Sequence, residues 1–194
     1  MDKKAIIFDF YGTLVDEETG YRGFIEKNTN LDPKIAVKNW FLFQREIIFN
    51  QKYIPFKEVL RKTYYKLTKS KQTTFSEIFS NIKPYPEVIK ILNKLKKHYK
   101  IGVLTNSDND LLELVLKNVN FNFDIIITAE SLNCYKPNKK NYGAILEKLG
   151  IKVKEALFVS ASSWDIKAAR EFGLETIHLD RKEGKKLGDL KWNI

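Results

Sequence analysis

A few side chains of chemically useful type stand at the ends of short apolar runs. Ala-Ile-Ile-Phe at 5–8 leads to Asp9, and Gly12 and Thr13 then turn the chain away. Ile101-Gly102-Val103-Leu104 leads to Thr105-Asn106-Ser107-Asp108, and Ala156-Leu157-Phe158-Val159 leads to Ser160. Lys136 follows the run 124–128 by a loop, and Asp165 stands just beyond Ser160. Short continuous apolar runs read as strands buried on both faces. The carboxyl ends of parallel strands share the edge where open α/β sheets bind ligands. Taken alone, Asp9 could equally cap the element after it. Converged on one edge, the set offers more. Lys136 would lower the pKa of a neighbouring carboxylate by ~1–3 units and keep it ionised and nucleophilic. Thr105 and Asn106 precede a helix, whose free backbone N–H groups favour an anion. Asp165 supplies a second carboxylate, a candidate base.

The elements that must position these groups alternate regularly. Residues 86–97 carry Val88, Ile89, Ile91, Leu92 and Leu95 on one side and lysines on the other, an amphipathic helix. Strands are expected at 101–104, 124–128, 156–159 and 175–179. Helices are expected through Leu111–Leu116, over 139–149 closed by Gly150, and from about Trp164 to Phe172 closed by Gly173. Strands alternating with helices predict an α/β fold, a parallel sheet with helices on both faces. Residues 15–83 break the alternation: they are helical in tone, with a break at 50–55. A crossover between parallel strands needs only about a dozen residues or somewhat more. This stretch is therefore expected to be a helical cap inserted into a core of residues 1–14 and 84–194. The tail from Arg181 onward reads as polar and uninformative.

The chain's 194 residues suffice for one domain with an insert and a real hydrophobic core. One cysteine, Cys134, excludes an internal disulfide and fits a reducing compartment. The apolar run near the start breaks at Asp9, too short for a signal peptide, and no run approaches the ~20 residues that span a bilayer. Cytoplasmic localisation without membrane association is expected. The formal charge of +10 comes from scattered lysines, read as a solvated surface rather than a nucleic-acid site, and its field would draw small anions towards a crevice. His98 in a lysine-rich helix end and His178 within the last strand are poor catalytic candidates, and Cys134 lacks a His partner in the sequence.

Asp9-Phe10-Tyr11-Gly12-Thr13, Thr105-Asn106, Lys136-Pro137 and Ser160 with Trp164-Asp165 resemble the four motifs of the haloacid dehalogenase superfamily. The resemblance covers the whole core and implies a Rossmann-like sheet with the active site between core and cap. It implies that Asp9 is a nucleophile forming a covalent aspartyl intermediate. The superfamily's phosphatases carry a second Asp where this chain has Tyr11, and two acidic residues in the last motif where this chain has Asp165 alone. A magnesium ion would lose ligands it needs, so no cofactor is expected unless the chain is a magnesium-dependent phosphatase.

Asp-x-Tyr-Gly-Thr, Tyr-Lys-Pro with Tyr142, and Val-Ser-x-x-x-Trp-Asp resemble the L-2-haloacid dehalogenase branch in particular. A halide leaves as an anion and needs neither acid nor metal. Carried over by position, Thr13, Thr105 and Ser160 would orient Asp9 or the substrate carboxylate, and Lys136 would hold charge near Asp9. Tyr11 and Tyr142 would line the site, and Asn106 would help receive the halide. Asp165 would position or activate the hydrolytic water, and Trp164 is either packing or substrate wall. Two departures stand out. The branch's cap Arg is absent from 37–41, leaving Lys38 and Arg45 as the nearest cations, and Ser162 stands where Asn is usual. A missing transition-state donor can cost ~10²–10³ in rate. The resemblance suggests a homodimer and a small anionic substrate. The alternatives are the phosphatase and a non-catalytic binding protein on the same fold.

Overall fold

A computed structural model describes residues 3–72 and 74–192. The core sheet contains β1 (Ala5–Phe8), β4 (Lys100–Thr105), β5 (Ile125–Thr128), β6 (Ala156–Ser160) and β7 (Glu175–His178). Their order is β5-β4-β1-β6-β7, every neighbour parallel. β1 lies at the centre because its four residues, all buried, can be covered from both sides. Ala5 and Ile7 face one apolar layer, Ile6 and Phe8 the other. The first layer is closed by α8 (Lys139–Leu149) and α9 (Ser163–Phe172), the second by α5 (Val88–Leu95) and α6 (Asn109–Val119). Gly150 and Gly173 end α8 and α9 in the left-handed region, as their positions in the sequence predict.

Between β1 and α5 stands the helical insert: α1 (Glu17–Asn28), α2 (Pro33–Phe49), α3 (Phe56–Thr68) and α4 (Ser76–Asn81). The break expected at 50–55 separates α2 from α3. Two short strands that periodicity does not reveal, β2 (Val15–Asp16) and β3 (Lys83–Pro84), pair antiparallel where the chain leaves and re-enters the core. The insert has its own centre, where Trp40, fully buried, meets Tyr21, Phe24, Tyr64 and Phe75 in tilted and edge-on contacts 5.3–6.2 Å apart. The short helix α7 (Ala129–Leu132) completes the α-helices among the described residues. No helix is long and apolar enough to cross a membrane.

The tail corrects its sequence reading. Arg181 donates to the Thr13 carbonyl at 2.8 and 3.2 Å and to Glu87 at 2.6 Å, with its guanidinium 4.0 Å from the Tyr85 ring centre. Leu187 is fully buried, and Trp192 packs at 6.4 Å from Phe8. Scattered apolar residues in a polar stretch give no periodic signal, yet Leu187 and Trp192 join the apolar layer that holds Phe8, and Arg181 fixes the turn that carries Thr13.

Candidate active site

The carboxyl ends of β1, β4 and β6 bring Asp9, Thr105 and Ser160 to one edge, as the alternation of strands and helices predicts. The loop after α7 adds Lys136, and the first turn of α9 adds Asp165. Lys136 Nζ lies 2.6 Å from Asp9 Oδ1 and 2.6 Å from Asp165 Oδ2, bridging two carboxylates that are far apart in sequence. Exposure separates their roles: Asp9 retains 8%, Lys136 1% and Asp165 none. Only Asp9 of the two carboxylates opens to the cavity above.

The other oxygen of Asp9 is held by hydroxyls whose direction is fixed. Thr13 Oγ1 donates to Asp9 Oδ2 at 2.8 Å, and Ser160 Oγ donates to it at 3.3 Å. Each hydroxyl in turn accepts a backbone N–H, Thr13 from Ala161 at 2.9 Å and Ser160 from Ser162 at 3.0 Å. With a lone pair so engaged, each O–H proton is left to point at the carboxylate. Thr13 reaches Asp9 because Gly12, at φ +71°, makes a turn that a residue with a side chain would adopt under strain.

Burial works against a charged Lys136, but the Asp165 and Asp9 carboxylates outweigh it and hold its pKa above the ordinary lysine value. Asp165 is pushed up by desolvation, with Lys136 pulling the other way. Tyr142, fully buried, donates its hydroxyl to Asp165 Oδ1 at 2.5 Å. Burial, then the Asp165 charge, raises its own pKa. Two expectations are corrected here. Asp165, expected beside the hydrolytic water, does not border the cavity: its oxygens are engaged by Lys136 and by Tyr142. Tyr142 does not line the site but stands behind it, supporting Asp165.

Asn106 is bonded at both ends of its amide to the Lys136 backbone, accepting from N at 2.7 Å and donating to O at 3.1 Å. It thus fixes the lysine loop while one amide hydrogen remains to serve the cavity. Thr105 Oγ1 is buried with no partner among the described residues. Of the N–H groups expected beyond them as an anion cradle, one is already engaged. α6 starts at Asn109, whose N–H donates to Glu130 at 2.7 Å. Asp108 meanwhile turns the other way, accepting from Phe56 and Lys57 at the start of α3, at 2.8 and 3.0 Å.

Above Asp9 lies a cavity of about 290 Å³ that also touches Tyr11, Thr105, Asn106, Lys136, Ser162 and Trp164. Tyr11 bonds Ser107 at 3.3 Å, and burial keeps its phenol protonated. From the insert, α2 contributes Phe41, Gln44, Arg45, Ile48 and Phe49. Their spacing of three and four residues is one face of a helix. Trp164 packs edge-on against Phe49 at 5.4 Å, so it is packing and cavity wall together. Of the two cations near the missing cap Arg, Arg45 reaches this cavity; Lys38 lines a separate outer cleft.

Sequence reading misses Glu17 and Lys182, which border the cavity as well. Burial, then the negative charge of Asp9, raises the Glu17 carboxyl to about 8. His178, on the last strand, meets the Ala161 carbonyl at 3.1 Å, and Cys134 opens onto a neighbouring cleft.

The donor set does not fit a resident divalent cation. The oxygens of Asp9 and Asp165 are committed to an ammonium and to hydroxyls, where a hard cation would need them as ligands. Among the described residues, no three or more His, Cys, Asp and Glu gather as a metal site.

Fold and site together define a Rossmann-like α/β hydrolase with a carboxylate–lysine centre beneath a helical insert. The chain belongs to the haloacid dehalogenase-like hydrolases, whose family model matches residues 3–173. It is similar to (S)-2-haloacid dehalogenase 4A of Burkholderia cepacia, 24% identical over 92% of this chain and 84% of that one. It is 28% identical to haloacetate dehalogenase H-2 of Moraxella sp. (strain B), over 92% of this chain and 86% of that one. In fold it matches L-2-haloacid dehalogenase from Xanthobacter autotrophicus, a structure with chloropropionic acid covalently bound. The TM-score is 0.83 at 23% identity, covering 92% of this chain and 78% of the other.

Proposed function

We propose that this hydrolase cleaves the carbon–halogen bond of small 2-haloacids. Asp9 attacks the halogen-bearing carbon, the halide leaves with the bonding electrons, and a covalent ester of Asp9 remains for water to hydrolyse. One observation carries the reading: the cavity-facing carboxylate is aimed by two hydroxyls and a buried ammonium, with a phenol, Tyr11, where an acid for an oxygen leaving group would stand. Burial keeps the Tyr11 phenol protonated and a poor acid in that position, and a halide needs none.

Thr105 Oγ1 and the remaining hydrogen of Asn106 suit the substrate carboxylate or the departing halide. Arg45 suits the same anions from the side of the insert, one turn beyond Phe41. Ser162 and Trp164 shape the wall. In this reading residues 15–83 act as the cap over a catalytic core of 1–14 and 84–194. The working form is taken to be a cytoplasmic homodimer acting on a small anion rather than on nucleic acid, on the strength of the family resemblance and the single cysteine.

Chloride release from L-2-chloropropionate by the wild type and by Asp9→Asn tests the proposal. The wild type is expected to release chloride continuously and Asp9→Asn to release none above background. Equal rates reject Asp9 as nucleophile. Magnesium-stimulated hydrolysis of p-nitrophenyl phosphate without chloride release would favour a phosphatase instead.

A further inference from the structure

Hydrolysis of an Asp9 ester needs a base for the attacking water, and Asp165 is sealed beneath Lys136. Glu17 is placed differently. It opens α1 directly after the capping residue Asp16 and borders the cavity that holds Asp9. Its Oε1 lies 3.2 Å from where a Cβ on Gly12 would stand, so the carboxyl folds back onto the very turn that follows Asp9. No hydrogen bond or ion pair engages it among the described residues. It is a carboxyl in the cavity wall with no structural task.

We propose that Glu17 is the general base for the water that hydrolyses the Asp9 ester, an inference that rests on the ester-forming reading above. Water adds to Asp9 Cγ as its proton passes to the Glu17 carboxylate. The tetrahedral intermediate collapses with cleavage of the bond from Cγ to the ester oxygen, the Asp9 oxygen that attacked the substrate carbon. Glu17 returns the proton to that oxygen, and the 2-hydroxyacid departs. The restored Asp9 carboxyl then loses its proton to solvent.

The surrounding charges time this exchange. Burial is the largest influence on Glu17, and the charges of Asp9, Asp16 and Glu18 act in the same direction against Lys136. Tyr11 and Tyr21 beside it are phenols that burial keeps neutral. Arg45 and Lys182 border the cavity from α2 and from the C-terminal segment. Outward, Tyr85, Arg181, Asp180 and His178 line the adjoining cleft. While Asp9 is ionised, Glu17 stays largely protonated at neutral pH and adds no negative charge where an anionic substrate arrives. Alkylation turns Asp9 into a neutral ester and removes one of the charges that raise the Glu17 pKa, while burial, Asp16 and Glu18 remain. The carboxyl gives up its proton more readily at the step that requires a base.

Glu17→Gln keeps the shape and removes the base. With L-2-chloropropionate and the variant at comparable concentrations, stoichiometric chloride release and a covalent adduct on the Asp9 peptide are expected by mass spectrometry. Steady turnover is expected to fall ~10²-fold or more. The wild-type kcat should rise with pH along a limb below about 8 that Glu17→Gln lacks. Glu17→Asp, which retains a carboxylate, should recover part of the turnover; a value no better than that of Glu17→Gln indicates packing and overturns the proposal. Wild-type turnover and pH profile in Glu17→Gln also overturn it, as does a Glu17→Gln protein that releases no chloride in its first turnover. A wild type that forms no adduct and releases no chloride gives a different result: the haloacid reading itself fails, and the role of Glu17 with it.

Discussion

A lysine held between two carboxylates constrains all three residues. Removing ions from water costs several kcal/mol each, and attraction at short range offsets this only when the remaining donors and acceptors are also met. Here Tyr142, Thr13 and Ser160 supply that remainder. Glu17 is the opposite case, a carboxyl with no hydrogen bond or ion pair among the described residues, and its raised pKa has a consequence for stability. Between pH 4.5 and 8 the folded chain keeps a proton that the unfolded chain has lost. Folding stability attributable to Glu17 therefore falls as pH rises through that window, by on the order of a few kcal/mol. Urea denaturation at several pH values is expected to show this decline in the wild type and its removal in Glu17→Gln. Parallel pH dependences in the two proteins would contradict the raised pKa.

Among the elements, α2 and α3 are what join the insert to the site. α2 presents Phe41, Gln44, Arg45, Ile48 and Phe49 to the cavity while Ala36, Val37 and Trp40 are buried in the insert. α3 follows Pro55, which offers no side-chain cap; the cap comes from the core, where Asp108 accepts the N–H groups of Phe56 and Lys57. Asp108→Ala leaves those donors unmet across the junction and is expected to cost ~1–2 kcal/mol in urea denaturation. Faster proteolysis within 50–55 should accompany it, because the segment before α3 loses its anchor. α1 meets α4 closely through Gly20, where a Cβ would come within 2.7 Å of the Ile78 carbonyl oxygen. These junctions join residues far apart in sequence, so spacing along the chain does not reveal them.

At the scale of the molecule, the formal charge of +10 and the cations Arg45 and Lys182 at the cavity favour the entry of anions. For a haloacid substrate, kcat/KM is expected to fall as salt rises towards ~0.15 M, where the screening length is about 8 Å. Arg45→Gln should raise KM and flatten that dependence. Lys38→Gln, altered at a residue outside the cavity, should do neither.

The order of strands and helices, the long interruption after the first strand and the gathering of Asp9, Thr105 and Ser160 were legible in the sequence. Burial on both faces imposes continuous apolar runs, and parallel pairing puts their ends on one edge. Which groups open to the cavity was not legible. Lys136 and Asp165 are both charged and both near Asp9, yet one bridges the carboxylates and the other is sealed below, a matter of depth that carries no periodic signal. Glu17 looks like an ordinary first-turn acid of α1, and Arg45 like one surface cation among many, until the insert folds over the sheet. Local pattern determined the frame and its functional edge. Only tertiary packing decided which charges are buried, which pair, and which further carboxyl borders the cavity that holds Asp9.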